Sequence, residues 1–220
     1  MKRTVWMVVV VCIGLAGIWT CASAATPALG VAAIGFFPKG AGLDAFLSEN
    51  GLPSMGTGLV GGSGSVRLPG PSGIESRAVA WGVGASLSSA TSAADLVSAV
   101  GGLELAQTIG GDDTSTLKVG GILGGGATVL SIRGYLHPTL GDGGFAPEPA
   151  RRDIVRAVVL VMPGIQMAVE IAQGIEIELR MGYLQPLFGV TFGDVFGIPA
   201  PSLDLSGSIV SLGLSLDLPL

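Results

Sequence analysis

The clearest pattern in the chain is a period of two between Ile165 and Tyr183. Ile165, Met167, Val169 and Ile171 alternate with Gln166, Ala168, Glu170 and Ala172. After Gln173-Gly174 the alternation resumes, with Ile175, Ile177, Leu179, Met181 and Tyr183 set against Glu176, Glu178, Arg180 and Gly182. Successive side chains of a strand point to opposite faces, so each run carries one apolar and one polar face. The Gln-Gly pair between them predicts a hairpin. On hydropathy alone, residues 157–175 would pass for a membrane helix. Pro163, Gly164, Gln166, Glu170 and Gly174 interrupt that stretch, and the strict period of two decides for strands.

The same period recurs more weakly elsewhere. Residues 29–38 read as a first strand closed by Pro38-Lys39-Gly40, and 57–68 as a glycine-rich strand ending at the turn 69–73. In 77–87 the large residues Val79, Trp81, Val83, Ala85 and Leu87 share one face, and Ala78, Ala80, Gly82, Gly84 and Ser86 the other. Residues 93–108 are less regular: Gly101-Gly102 divides or bends a strand there, with a helix over 92–100 as the competing reading. The β-branched run 153–162 is a strand, and 187–196 is apolar. In the final strand, 203–220, the apolar parity changes between Ile209 and Val210, which predicts a bulge. A single short helix is predicted at about residues 42–50. Leu43, Phe46 and Leu47 form its stripe, Asp44 lies in its first turn, and Gly51 and Pro53 end it.

The most crowded point falls in 117–133, where Gly120, Gly121, Gly124, Gly125 and Gly126 stand among Leu, Ile and Val. Consecutive glycines supply the positive φ of tight hairpin loops, so the stretch predicts a hairpin turning at Gly124–Gly126. One long strand bent at those glycines is the alternative. The small faces of this stretch and of Trp81's strand are read as meeting in one tight space. The elements together predict an all-β fold: a closed or strongly curved antiparallel barrel-like sheet of about 8–10 strands.

Composition then narrows the setting. Lys2 and Arg3, an apolar run from Val5 to Trp19 and Ala22-Ser23-Ala24 read as a signal peptide over residues 1–24, leaving 25–220 as a single β-rich domain. Both cysteines, Cys12 and Cys21, lie in the leader, so the remaining chain has no disulfide and no thiol nucleophile. Charged residues make up 12% of the 220-residue chain, against about 25% in ordinary domains. Either much apolar surface meets lipid or a partner, or small residues cover the outside. With 16 acidic and 11 basic residues and no basic cluster beyond Arg151, Arg152 and Arg156, nucleic acid is excluded as a partner.

Candidate chemistry is sparse. Glu176 and Glu178 lie two apart on one strand face, a spacing compatible with acid/base glycoside cleavage, but a polar face balanced by Arg180 is the simpler reading. Asp112-Asp113 lacks the further ligands of a calcium loop. His137 is the sole histidine, too few for a zinc site, and Gly62-Ser63-Gly64-Ser65-Val66 misses the nucleophile-elbow pattern. The glycine clusters carry neither a phosphate loop nor a dinucleotide fingerprint. Phe145, Phe188, Phe192 and Phe196 read as core packing rather than a ligand pocket. No catalytic, cofactor-binding or metal residue is assigned, and no cofactor is expected.

The leader, the two-faced hairpin Ile165–Tyr183 and the terminal alternation Leu212–Leu220 resemble those of small bacterial outer-membrane β-barrels. The segment Glu49-Asn50-Gly51-Leu52-Pro53 followed by glycine-rich strands is similar to an uncharacterised group of exported bacterial all-β proteins. The chain departs from the barrels in ending on Leu220 and in having few aromatics for interfacial girdles. The resemblance implies a non-catalytic envelope protein with a structural or interaction role, whose partners are the lipid bilayer or envelope components. Ile175, Ile177, Leu179 and Met181 would then face lipid, and Glu176, Glu178 and Arg180 the lumen. A soluble exported β-sandwich or barrel, binding an apolar ligand or forming a surface assembly, is the alternative reading. A secreted hydrolase is the third.

Overall fold

A computed structural model describes residues 28–39, 44, 45, 47, 48, 54, 58–68, 74–89, 92–134, 150–192 and 206–218. Eight strands run in order: β1 (Ala28–Pro38), β2 (Leu59–Leu68), β3 (Ile74–Ser88), β4 (Ser92–Gly111), β5 (Ser115–Gly134), β6 (Ala150–Ala172), β7 (Ile175–Phe192) and β8 (Gly207–Asp217). Each pairs antiparallel with the next, and β8 pairs with β1, closing an up-and-down barrel. Closure leaves no unpaired strand edge, which lets a glycine-rich sheet satisfy its backbone without a second layer. The signal-peptide segment and most of the helix predicted at 42–50 lie outside the described residues. Of that helix, Asp44, Ala45, Leu47 and Ser48 are helical, and Leu47 is fully buried.

The two barrel ends differ. Where β1 begins and β8 ends, neighbouring strands are joined by 69–73, 112–114 and 173–174. At the other end the connections are 39–58, 89–91, 135–149 and 193–206, three of them long. Wall height differs as well: β4, β5 and β6 have 20, 20 and 23 residues, whereas β1, β2 and β8 have 11, 10 and 11.

Eight strands enclose a space just wide enough for side chains to fill, and this lumen is filled. Inward positions in the half near the long connections are apolar: Ile34 and Phe36 from β1, Trp81 and Val83 from β3, Leu96 and Val100 from β4, with Leu130, Ile154, Leu160 and Leu184 from β5–β7. Phe36 and Trp81 meet as a tilted ring pair with centroids 6.4 Å apart. Burial of these side chains, each contributing about 1.5–3 kcal/mol, gives the barrel a core that an aqueous pore would lack.

The stretch 117–133 does not turn. It runs unbroken through β5, pairing residue by residue with β4 on one side and β6 on the other. Residues 92–111 likewise form one strand, neither divided at Gly101-Gly102 nor helical. The glycines of β5 serve close approach rather than positive φ. A Cβ on inward Gly120, Gly124 or Gly126 would come within 2.1, 2.5 and 2.2 Å of β4 carbonyl oxygens. A Cβ on outward Gly121 or Gly125 would keep 3.2 and 3.3 Å. Inward glycine therefore lets the wall bend sharply over β4–β5. The small faces of β3 and β5 do not share one space: that of β3 is outward, and that of β5 inward.

The bulge predicted at Ile209-Val210 is also absent, since β8 pairs continuously with both neighbours. Ile209 points into the apolar part of the lumen and Val210 points out, so the strand is apolar on both faces there. Irregularities in register occur instead at Thr108/Gly110, Val159/Leu160 and Glu170/Ala172.

Candidate functional surfaces: an apolar outer wall and a charged half-lumen

The period of two in β5–β8 fixes which side chains leave the barrel. Leu117, Val119 and Leu123 on β5, Ile165 and Met167 on β6, Ile177 and Met181 on β7, and Leu212, Leu214 and Leu216 on β8 are all 37–60% exposed. They form an apolar band across β5–β8, extended by Leu103 and Leu105 on β4 and by Leu29 and Val31 on β1, while the outward positions of β2 and β3 are mostly Gly and Ala. The orientation predicted for Ile175, Ile177, Leu179 and Met181 is outward, as their pairing with Leu216, Leu214, Leu212 and Val210 shows. Toward the long connections the band ends in polar groups. Ser86 donates to Asp95 at 2.7 Å, Arg133 pairs with Asp95, and Ser131 donates to Asp153 at 2.5 Å. On the short side of the wall, Lys39 Nζ sits 5.4 Å from the Tyr183 ring centroid, and outward Phe37 and Phe188 lie nearby in the sheet. Phe188 is thus neither in the core nor in a pocket. Phe145, Phe196 and the side chain of Phe192 lie outside what the structure describes.

Inside, the half toward the chain termini is charged. Four cations, Arg67, Arg77, Lys118 and Arg180, face four glutamates, Glu75, Glu104, Glu176 and Glu178. Glu75 is held by three of the cations: Lys118 Nζ at 2.6 Å, Arg67 Nε at 3.4 Å and the Arg77 guanidinium. Arg77 Nη1 donates to Glu178 Oε2 at 2.7 Å, and Arg180 Nη2 lies 3.0 Å from Glu104 Oε2. At the mouth, Arg67 Nη1 reaches Asp217 at 2.9 Å, and its Nη2 lies 3.8 Å from Glu176. Burying one of these charges alone would be prohibitive. Matching signs in one compartment is what lets a closed barrel hold them.

This arrangement disposes of the glycosidase geometry. Glu176 and Glu178 are inward as predicted, but each carboxylate is engaged by arginine inside a packed lumen rather than facing a cleft. Asp112 is taken up by its own turn: it accepts from Thr114 N at 2.9 Å and from Ser115 N at 2.8 Å, as well as from both hydroxyls. The backbone bond from Thr114, followed by those from Ser115, holds its carboxyl down at about 2, below the ordinary 3.8. His137 lies outside the described residues. Among the described residues no group of three or more His, Cys, Asp and Glu is placed to hold a metal.

Glu176, Glu178 and Arg180 were expected in the lumen, whereas Arg67, Glu75, Arg77, Glu104 and Lys118 escaped the sequence reading, although a signal existed. Arg77 shares the parity of Val79, Trp81 and Val83, and a charge on the apolar face of a strand must be buried. Among the described residues, cavities of about 10 Å³, room for about one water each, lie at two places in the lumen. The first lies among Glu104, Lys118, Gln166 and Arg180. The second lies in the apolar half beside Trp81.

An eight-stranded up-and-down barrel with an apolar outer band, short turns at the terminal end and a filled lumen is the architecture of small outer-membrane barrels. No family model and no curated protein sequence matches the chain, but solved structures do. The attachment invasion locus protein Ail of Yersinia pestis superposes with a TM-score of 0.51 at 10% identity, over 87% of this chain and 96% of that one. A major outer membrane protein of Thermus thermophilus gives 0.54 at 8% identity, over 88% and 100%. At such identities the similarity is one of fold.

Proposed function

We propose that this chain is a barrel of the bacterial outer membrane, exported by a signal peptide over residues 1–24 and built from one domain over 25–220. The observation that carries the reading is the opposition of faces: apolar side chains cover the middle of the outer wall, charge is packed inside the lumen, and the outer charges Asp95, Arg133 and Asp153 stand toward the rim. In water that arrangement would expose a band of Leu, Ile, Val and Met far larger than the few hundred Å² that soluble monomers tolerate. In a bilayer the same band is solvated by acyl chains, and the closed sheet satisfies every backbone group. The fold shared with outer-membrane proteins supports the same setting.

Within the membrane the role is structural or interactive, and non-catalytic. A lumen plugged by Phe36, Trp81 and Leu160 and by the Arg77–Glu178 pair offers no path for solutes. The surface left for a partner is the end bearing the connections 39–58, 135–149 and 193–206. Envelope fractionation tests this reading. The protein should sediment with the outer membrane, resist carbonate extraction and migrate faster on gels when unheated. Release by osmotic shock would refute it in favour of the soluble barrel.

A further inference from the structure

We propose that the lumen half near the long connections contains a binding site for one small monovalent anion, of chloride size, centred on Arg156. This site does not depend on the membrane reading.

The sheet register builds it. Ser98 on β4 is the cross-strand partner of Thr128 on β5, and Thr128 is the partner of Arg156 on β6. The three therefore form one inward row across adjacent strands. Ser98 and Thr128 are buried to 3% and 2% exposure. Thr128 Oγ1 donates to Ser98 Oγ at 3.1 Å, which leaves the Ser98 proton free to donate onward. Beside them the Arg156 guanidinium lies against Gly189, where a Cβ would stand 3.0 Å from Nε. The glycine makes the space the guanidinium occupies.

The row consists of donors, and nothing in it carries negative charge. The lumen cations in the other half each have a carboxylate, as described above. Arg156 has no ion-pair partner among the described residues. Its surroundings are apolar: the cavity of about 10 Å³ that it lines with Ser98 and Thr128 is walled by Phe36, Trp81 and Leu160. A guanidinium keeps its charge; Arg156 is partly buried beside exposed Gly189, so the site opens toward the long connections while its charge has no protein counter-ion among the described residues. A solute anion supplies the missing charge. The cavity has room for about one water, so the class is a single small inorganic ion rather than a carboxylate with an organic body.

Trp81 lines the same cavity and reports on it. The full chain carrying Trp6→Phe and Trp19→Phe leaves Trp81 as the only tryptophan. Folded in detergent micelles, this protein is titrated with sodium bromide at constant ionic strength, balanced by gluconate, which is too large to enter. Bromide should quench Trp81 along a saturating curve that chloride shifts competitively to higher bromide. Arg156→Gln should abolish the saturable phase, and Ser98→Ala with Thr128→Val should weaken it several-fold. Linear quenching indifferent to chloride would overturn the site, as would an unchanged saturable phase in Arg156→Gln. Should Arg156→Gln fail to fold, by the mobility of the unheated protein, the Trp81 curve of the unsubstituted site still decides between the two outcomes.

Discussion

Arg77 on β3 and Glu178 on β7 are 101 residues apart in the chain, yet Arg77 Nη1 donates to Glu178 Oε2 at 2.7 Å across the lumen. Arg77 also pairs with Glu75 on its own strand, and Lys118 on β5 reaches the other oxygen of Glu75. Three strands on different sides of the barrel are thereby tied through one guanidinium that is only 2% exposed.

Removing that guanidinium takes the close partner from Glu178, leaving it Arg180 at 3.8 Å, while Glu75 keeps Lys118 and Arg67. Arg77→Leu is expected to destabilise the folded barrel by about 3–5 kcal/mol, the cost of breaking a buried pair from one side. Arg77→Leu combined with Glu178→Gln should recover most of the loss, because Glu75 keeps Lys118 and Arg67 and Arg180 keeps Glu104, so no charge is left unpaired. Urea unfolding of the micelle-folded protein, followed by gel mobility and circular dichroism, measures both. A double variant no more stable than the single one would show that packing, rather than charge compensation, is what Arg77 supplies.

The bend of the wall over β4–β5 gives a second test. A methyl on Gly126 would stand 2.2 Å from the Ala99 carbonyl oxygen, whereas one on outward Gly101 would stand 3.9 Å from its nearest neighbour. Gly126→Ala should therefore cost about 1–3 kcal/mol through forced backbone movement, and Gly101→Ala should be close to neutral. Midpoints of urea unfolding compare the pair. Equal effects would remove the inward glycines from any role in curvature.

These residues also show what the sequence could and could not convey. The facing of Ile175–Arg180 was legible, because apolar and polar residues alternate there without exception. Continuity at Gly124–Gly126 was not. Glycine composition is the same whether the residue serves a positive φ or a close approach, and among the described residues the positive-φ glycines are Gly58, Gly111 and Gly174. The false bulge at Ile209 has a similar cause, since a strand crossing the apolar half of the lumen is apolar on both faces and loses its parity signal. The Arg77–Glu178 pair depends on how far round the closed sheet β3 and β7 lie from each other, which no local pattern encodes. Charged side chains on otherwise apolar faces were the visible trace of that compartment.

The turn 112–114 should respond to acid. The folded pKa of Asp112 is about 2, below the ordinary 3.8, because Thr114 and Ser115 donate to the carboxylate. With the folded value depressed, the contribution of this carboxylate is fully present above about pH 4 and is lost as pH falls through about 2. Amide exchange at Thr114 and Ser115 should accelerate over that window beyond the intrinsic pH trend. Asp112→Ala should show the fast exchange at every pH. Exchange that follows only the intrinsic trend in the parent protein would mean that the carboxylate does not hold the turn.

The outer band can be probed with a single charge. Leu123 lies midway along the apolar outward positions of β5 and is 60% exposed. If the band is set in a bilayer, Leu123→Arg places a guanidinium near the midplane, at a cost of about 2–4 kcal/mol. The same change at Ile109, near the terminal end of β4, should cost about 0–1 kcal/mol. Were the barrel soluble, both positions would face water, and replacing either exposed apolar side chain by arginine would be neutral or would improve solubility. Reversible unfolding in phospholipid vesicles separates these cases, because only an embedded wall makes the penalty depend on depth. A cost at Leu123 equal to that at Ile109 would place the band in water and return the chain to the soluble reading.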